Sequence, residues 1–194
     1  PTIRPSFSYE IAPWWNTSWN YRKLITVNHS QVDSDLSNFP ILVNITDTDL
    51  RDDAQDDGDD IAFVMCYGVN IQINHEIENY DNTTGQLVAW ANITNLLSTR
   101  NTTFYMYYGN SSCSSQENIT GVWRSEFIMV HHLNETSGTH YDSTIYNNNG
   151  TCYGAMNQDA DGIIDGSDEF DGANDLIDVG TDPTMNIYGA NNDF

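Results

Sequence analysis

Short runs rich in β-branched and aromatic side chains recur along the chain, separated by clusters of Asn, Asp, Gly and Ser. They fall at 21–27, 39–45, 61–66, 71–80, 86–93 and 102–108, and a second series follows at 122–133, 150–153, 163–170 and 176–179. Helical periodicity is almost absent, so the pattern predicts an all-β chain of antiparallel strands packed as a sandwich, jelly-roll-like in kind. Hydrophilic turn material lies at 56–60, 81–85, 109–115 and 147–150. The small polar residues at 111–121 set the expected boundary between a first unit at 14–112 and a second β region at 113–194.

The opening residues have a pattern of their own. Ile3, Pro5, Phe7, Tyr9 and Ile11 alternate with Thr2, Arg4, Ser6, Ser8 and Glu10, so an extended conformation puts one apolar and one polar face on residues 1–13. Pro1, Pro5 and Pro13 cannot donate ladder hydrogen bonds, which assigns this strand to a sheet edge or to late addition beside one. Twelve extended residues reach about 40 Å, enough to leave their own domain and pair with a neighbour. Ile3, Phe7, Tyr9 and Ile11 are the expected subunit-interface residues. Pro1 stands where an initiator Met would, which reads as a processed start or a fragment.

Composition changes this picture in one respect. Six Lys and Arg face 28 Asp and Glu, for a formal charge of −22, and Lys23 is the single lysine. Such a surface repels phosphate backbones and anionic lipid, so nucleic acid is not an expected partner. No apolar run approaches the roughly 20 residues of a membrane span. Aromatic residues make up 12% of the chain, a content that acidic disordered tails lack. Cations, glycans and copies of the chain itself remain as partners.

The triplet Asn-x-Ser/Thr occurs at Asn16, Asn28, Asn44, Asn82, Asn92, Asn101, Asn110, Asn118, Asn134 and Asn149. Chance would give about four in a chain this rich in Asn, Ser and Thr, and none of the ten is blocked by proline. The excess points to a secreted, cell-surface chain with covalent N-glycans at these positions. Cys66, Cys113 and Cys152 have no metal-ligand spacing, and an oxidising exterior permits one disulfide with one thiol left over. Cys66 with Cys113 is the expected pair because both lie in the first region; three buried thiols are the alternative.

Six stretches carry a resemblance: Trp19-Asn20-Tyr21-Arg22-Lys23-Leu24-Ile25-Thr26-Val27, Asn38-Phe39-Pro40-Ile41-Leu42-Val43, Asp57-Gly58-Asp59-Asp60-Ile61-Ala62-Phe63, His75-Glu76-Ile77-Glu78, Leu87-Val88-Ala89-Trp90 and Tyr107-Tyr108-Gly109-Asn110. In this order, over 14–112, they resemble the domain of unknown function 2341, found in large secreted and surface proteins of archaea and bacteria. Val122-Trp123, His132-Leu133-Asn134-Glu135, Asp142-Ser143-Thr144 and Phe170-Asp171-Gly172 resemble the opening of a laminin-G or concanavalin-like sandwich. The resemblance implies a partial concanavalin-like β region over 113–194, and it supplies no catalytic residues.

Candidate chemistry is sparse. Asn157, Asp159, Asp161, Asp165 and Asp168 occupy positions 1, 3, 5, 9 and 12 of a calcium loop with Gly162 at position 6, which makes Ca2+ the candidate cofactor. Against it, the sandwich resemblance implies a strand at 163–170 with the aspartates in the preceding turn. Glu76 and Glu78 would project from one face of a strand as a retaining glycosidase needs. They lie outside the sandwich segment where that activity would reside, so no enzyme is expected. His131 and His132 are adjacent, hence on opposite strand faces, one core and one surface. Trp14 and Trp15 are expected to cover a sheet edge. The expected function is a structural subunit of a secreted, heavily N-glycosylated extracellular filament, assembled head-to-tail by N-terminal strand addition. The alternative is a carbohydrate-binding or adhesive module of a larger cell-surface protein.

Overall fold

The computed structural model describes residues 13–185. It shows the expected all-β architecture, with antiparallel sheets packed as a sandwich. One sheet is ordered β1-β7-β3-β4, from β1 (Tyr21–Val27), β3 (Ala62–Cys66), β4 (Asn70–Ile73) and β7 (Thr102–Tyr108). The facing sheet is ordered β2-β6-β5, from β2 (Leu36–Thr46), β5 (His75–Asp81) and β6 (Gln86–Leu96). Among the described residues one short α-helix, α1 (Thr48–Asp53), is capped by the Asp47 carboxylate and seals one end with the fully buried Leu50.

Strand alternation builds the core. Leu87, Ala89, Ala91 and Ile93 of β6 face Phe104, Met106 and Tyr108 of β7, with Phe63, Met65 and Ile73 between them. The opposite alternates point outward, and separate flanks cover the two outer faces. Tyr105 and Tyr107 of β7 meet Trp14, Trp15 and Trp19. Trp14 and Trp15 thus lie on a sheet face rather than over an edge. Arg22 stacks between the Trp14 and Tyr105 rings, 4.8 and 4.3 Å from their centroids.

The run expected as one strand at 71–80 is two. Residues Asn70–Ile73 pair with β3 in the first sheet, and the chain turns at Asn74 to enter the second sheet as β5. The tight β5–β6 turn is held by Asp81, whose carboxylate accepts from Thr83 N, Thr83 Oγ1 and Thr84 Oγ1. Gly85 closes it at φ +76°, where a Cβ would collide with the Asp47 carbonyl.

Beyond residue 112 the chain keeps packing on the second sheet. Gln116 N donates to Asp59 O and Asn118 N to His75 O, and the Glu117 carboxylate accepts from Ile77 N at 2.6 Å. The free edge of β5 is thereby covered. The strand expected at 122–133 does not form. Its polar groups are met by side chains instead of a ladder: Asn92 Nδ2 donates to Val122 O, and the Asp142 carboxylate accepts from Val130 N. Further on are a small sheet ordered β12-β9-β8, from β8 (Thr139–His140), β9 (Gly150–Tyr153) and β12 (Leu176–Asp178), and a separate hairpin of β10 (Asn157–Asp161) with β11 (Gly166–Glu169). Among the described residues no helix is long and apolar enough to cross a membrane.

Candidate functional site: a histidine-bridged glutamate pair beside a tryptophan cleft

β5 carries a bulge. Ile77 pairs with Ala89 and Asn79 with Val88, so Glu78 is the inserted residue. A bulge re-aims side chains next to it, and here Glu76 and Glu78 converge on the outer face of the second sheet. His132 lies between them, with Nδ1 3.0 Å from Glu78 Oε2 and Nε2 3.2 Å from Glu76 Oε2. Trp90 Nε1 donates to Glu78 Oε2 at 2.6 Å, Trp123 Nε1 to Glu76 Oε2 at 2.8 Å, and Ser143 Oγ to Glu76 Oε1 at 2.5 Å. The side chains of Glu76, Glu78 and His132 are 7%, 3% and 12% exposed, so these charges interact largely out of water.

Burial opposes a charge on His132, but the flanking carboxylates outweigh it and its pKa is pushed up to about 9. Burial likewise works against the Glu78 carboxylate, and the hydrogen bonds from His132 and Trp90 overcome that cost and hold its pKa below the usual value. At neutral pH His132 is therefore an imidazolium, held between Glu76 and the Glu78 carboxylate. The Glu76 and Glu78 oxygens that face the bridge already accept an indole N–H apiece. What the arrangement accomplishes is a clamp: it fastens residues 123–143 to the sandwich.

Beside the clamp is an open cleft of about 620 Å³, with Trp90 and Trp123 on one side and the β10–β11 turn at Ile163 and Ile164 on the other. A second buried bridge supports that turn. His140 Nδ1 lies 2.5 Å from Glu135 Oε2, and its Nε2 lies 2.7 Å from Asp168 Oδ2, with the His140 and Asp168 side chains wholly buried.

His132 was expected to be either core or surface and instead joins two elements; His131 bonds to Asn148 O at 2.9 Å through Nε2. Trp123 and Ser143, whose roles spacing alone did not reveal, complete the clamp.

The calcium loop expected at Asn157, Asp159, Asp161, Asp165 and Asp168 is corrected. These residues sit on a β-hairpin and its turn, where Asp165 accepts from Asn79 Nδ2 and Asp168 turns inward to His140. Strand alternation and the two inward carboxylates scatter the oxygens that a loop would gather. Among the described residues no group of three or more His, Cys, Asp or Glu could hold a metal ion.

The disulfide between Cys66 and Cys113 is corrected as well, because all three cysteines are free. Cys113 packs at the start of β3, with Sγ 3.9 Å from Asp59 O, whereas Cys66 ends that strand. Four residue steps of about 3.3 Å separate the two ends, beyond the roughly 7 Å Cα separation a disulfide spans.

Of the ten sequons, Asn16, Asn28, Asn44, Asn101 and Asn118 are exposed. Asn82, Asn134 and Asn149 are half-buried, and Asn134 spends its amide on Glu78 O. Asn92 and Asn110 are buried, each 8% exposed, which corrects the expectation of a glycan at either in the folded chain. The Asn92 amide nitrogen, the atom a glycan would need, donates to Val122 O at 2.7 Å. Ile3, Phe7, Tyr9 and Ile11 lie outside the described residues.

Residues 57–150 match the family model of a domain of unknown function, DUF2341. Those residues are similar to that family. The DUF2341 match begins within the sandwich and runs past residue 112, so it includes both glutamates and His132 of the clamp. This agrees with the close packing of 113–143 on the second sheet. No curated protein and no solved structure matches the chain.

Proposed function

We propose that the chain is a structural subunit of a secreted, N-glycosylated extracellular filament, in which the N-terminal strand of one copy adds to the next. The observation that carries this reading is an unfilled β region. Trp123 is the last buried apolar side chain among the described residues, while Tyr141, Ile145, Tyr153, Phe170 and Leu176 beyond it are each about half exposed or more. Exposed apolar side chains, such as the cross-strand neighbours Tyr153 and Leu176, mark an interaction site where they form a patch. The leader, Ile3 to Ile11, is a complementary half-apolar ribbon. Burying its four large side chains would contribute roughly 6–12 kcal/mol before ordering costs. Donor and acceptor surfaces differ, so the contact is head-to-tail and propagates without closing. The exposed sequons Asn16, Asn28, Asn44, Asn101 and Asn118 would carry glycans that keep fibres apart.

Electron microscopy of the full chain and of a chain lacking residues 1–12 tests this. Fibres from the first and single particles from the second are expected. Single particles from both, or fibres from both, overturn it.

A further inference from the structure

We propose that the acceptor for the neighbour's leader is the cleft between the Trp90–Trp123 pair and the β10–β11 turn, with the open edge of 129–132 supplying the strand to pair with. This rests on the filament reading and assigns its binding site.

Three observations converge on the cleft. First, it is mainly apolar, lined by Trp90, Trp123, Val130, Ile163 and Ile164 with His131 beside them. Ile163 is fully exposed at its mouth, a position that costs free energy in water unless something covers it.

Second, the β-rich run Ile128-Met129-Val130-His131-His132-Leu133 has one satisfied edge and one open edge. Ile128 O accepts from Asn148 Nδ2, Val130 N donates to Asp142 and Val130 O accepts from Ser143 N. The alternate residues Met129 and His131 make no backbone hydrogen bond to another described residue, and the run ends at Leu133, whose φ of +59° departs from an extended backbone and whose carbonyl packs against Gly166. An extended segment with alternate groups unpaired is what strand addition uses.

Third, the starting point of the leader works against docking in its own cleft. Pro13 O accepts from Asn70 Nδ2 at 2.9 Å and from Arg22 Nη1 at 3.3 Å, which fixes it beside Trp14 on the outer face of the β1-β7-β3-β4 sheet. Trp90 projects from the outer face of the other sheet. A chain passing around the sandwich edge must cover roughly 25 Å, since the sheets stand about 10 Å apart and each bears a further side-chain layer. At about 3.3 Å per extended residue that path consumes roughly eight residues upstream of Pro13. In cis, Phe7, Tyr9 and Ile11 would be spent on the path. In trans, all four apolar residues can dock. Leaving one face and entering the opposite face of the next copy also produces a linear polymer.

Charge favours the same occupant. Arg4 and Glu10 cancel, so the leader brings no net side-chain charge to a chain of net −22. The acidic segments of a second copy would meet like charge.

The test uses the full chain with a photoreactive benzophenone amino acid in place of Phe7, mixed as light and heavy isotope forms. Irradiation should join residue 7 of one isotope to 128–133 or 161–167 of the other. Joining within one isotope form only, or to another part of the neighbour, overturns the assignment. Heavy–light products elsewhere in intact fibres would leave strand addition standing and refute this cleft alone. If the unmodified chain yields no fibres, the underlying reading fails with it. As an independent measurement, Ile163→Asp with Ile164→Asp should raise the concentration at which fibres appear by tenfold or more, with an unchanged circular dichroism spectrum. An unchanged onset concentration overturns the proposal.

Discussion

The sandwich and the β region after it obey opposite rules of burial. Between Val43 and Tyr108 the buried side chains are overwhelmingly apolar, and Phe63, Phe104, Leu87 and Met106 meet face to face. After Trp123 the buried side chains are polar: His140, Asp142, Ser143, Thr144 and Asn148. Asp142 alone accepts from Val130 N, Thr144 N, Thr144 Oγ1 and Asn148 N. Those bonds replace a ladder, and they hold its carboxyl below the usual range even though burial pushes the other way. A region ordered by hydrogen bonds, with its apolar side chains outside, is specified in shape before it is filled. The sandwich is stabilised by its own core, while the second region is stabilised by what it is fastened to.

Truncation separates the two regimes most strongly. Phe104→Ala should destabilise the chain by about 3–5 kcal/mol, the cost of a large cavity in a closed core. Phe170→Ala, at a half-exposed position, should change the unpolymerised chain by less than about 0.5 kcal/mol. Urea unfolding of both variants checks this, and similar losses in the two would erase the distinction.

The clamp is where the second region borrows stability from the first. His132→Ala leaves Glu76 and Glu78 buried without their shared cation and should cost about 3 kcal/mol. Hydrogen exchange should show 128–150 losing protection while β6 and β7 keep theirs. The pH dependence has a definite sign. Because His132 titrates higher in the folded chain, its contribution is complete below pH 6.5 and is lost as pH rises through about 9. Glu78 acts in the opposite direction: its contribution is present above its ordinary carboxylate pKa and is lost as pH falls through its lowered folded value. Tryptophan fluorescence, which reports Trp90 and Trp123 beside the bridge, should shift as alkali releases the clamp. His132→Gln should abolish that alkaline transition.

How far the sequence anticipated this arrangement depended on the range of the interactions. Alternation is local, so five strands of the sandwich stand close to their expected positions: β1, β2, β3, β6 and β7. The sixth run was divided because Ile73 and His75 pair with different sheets, and apolar content does not report which partner a strand takes. The run at 122–133 has the composition of a strand, yet side chains of Asn92 and Asp142 satisfy it in place of neighbours. Glu76 and Glu78 were legible as a same-face pair. The bulge that brings them together and the histidine more than 50 residues away were not, because neither leaves a mark in local periodicity. The calcium spacing misled for a related reason: the oxygens fit a loop in sequence, but Asp165 and Asp168 had partners in Asn79 and His140.

The smallest expected effect concerns which asparagines are modified, and it compares the sandwich's covered outer face with its open edge. Asn44 is exposed on β2, whereas Asn92 lies across the same pair of strands beneath Val122. A glycan on the Asn92 nitrogen would have to displace residues 118–123 and so separate Val122 O from its donor. Folding would select against it by about 1–3 kcal/mol from the unsatisfied carbonyl alone, before any steric cost. If the chain is N-glycosylated as proposed, glycopeptide mass spectrometry should therefore find Asn44 occupied and Asn92 bare. Asn92→Asp, which removes that donor without changing size, should lower stability by about 1 kcal/mol, and Asn44→Asp should be neutral within about 0.5 kcal/mol. An occupied Asn92 in folded material would mean that residues 118–123 leave the second sheet, and with them the covered face on which the clamp depends.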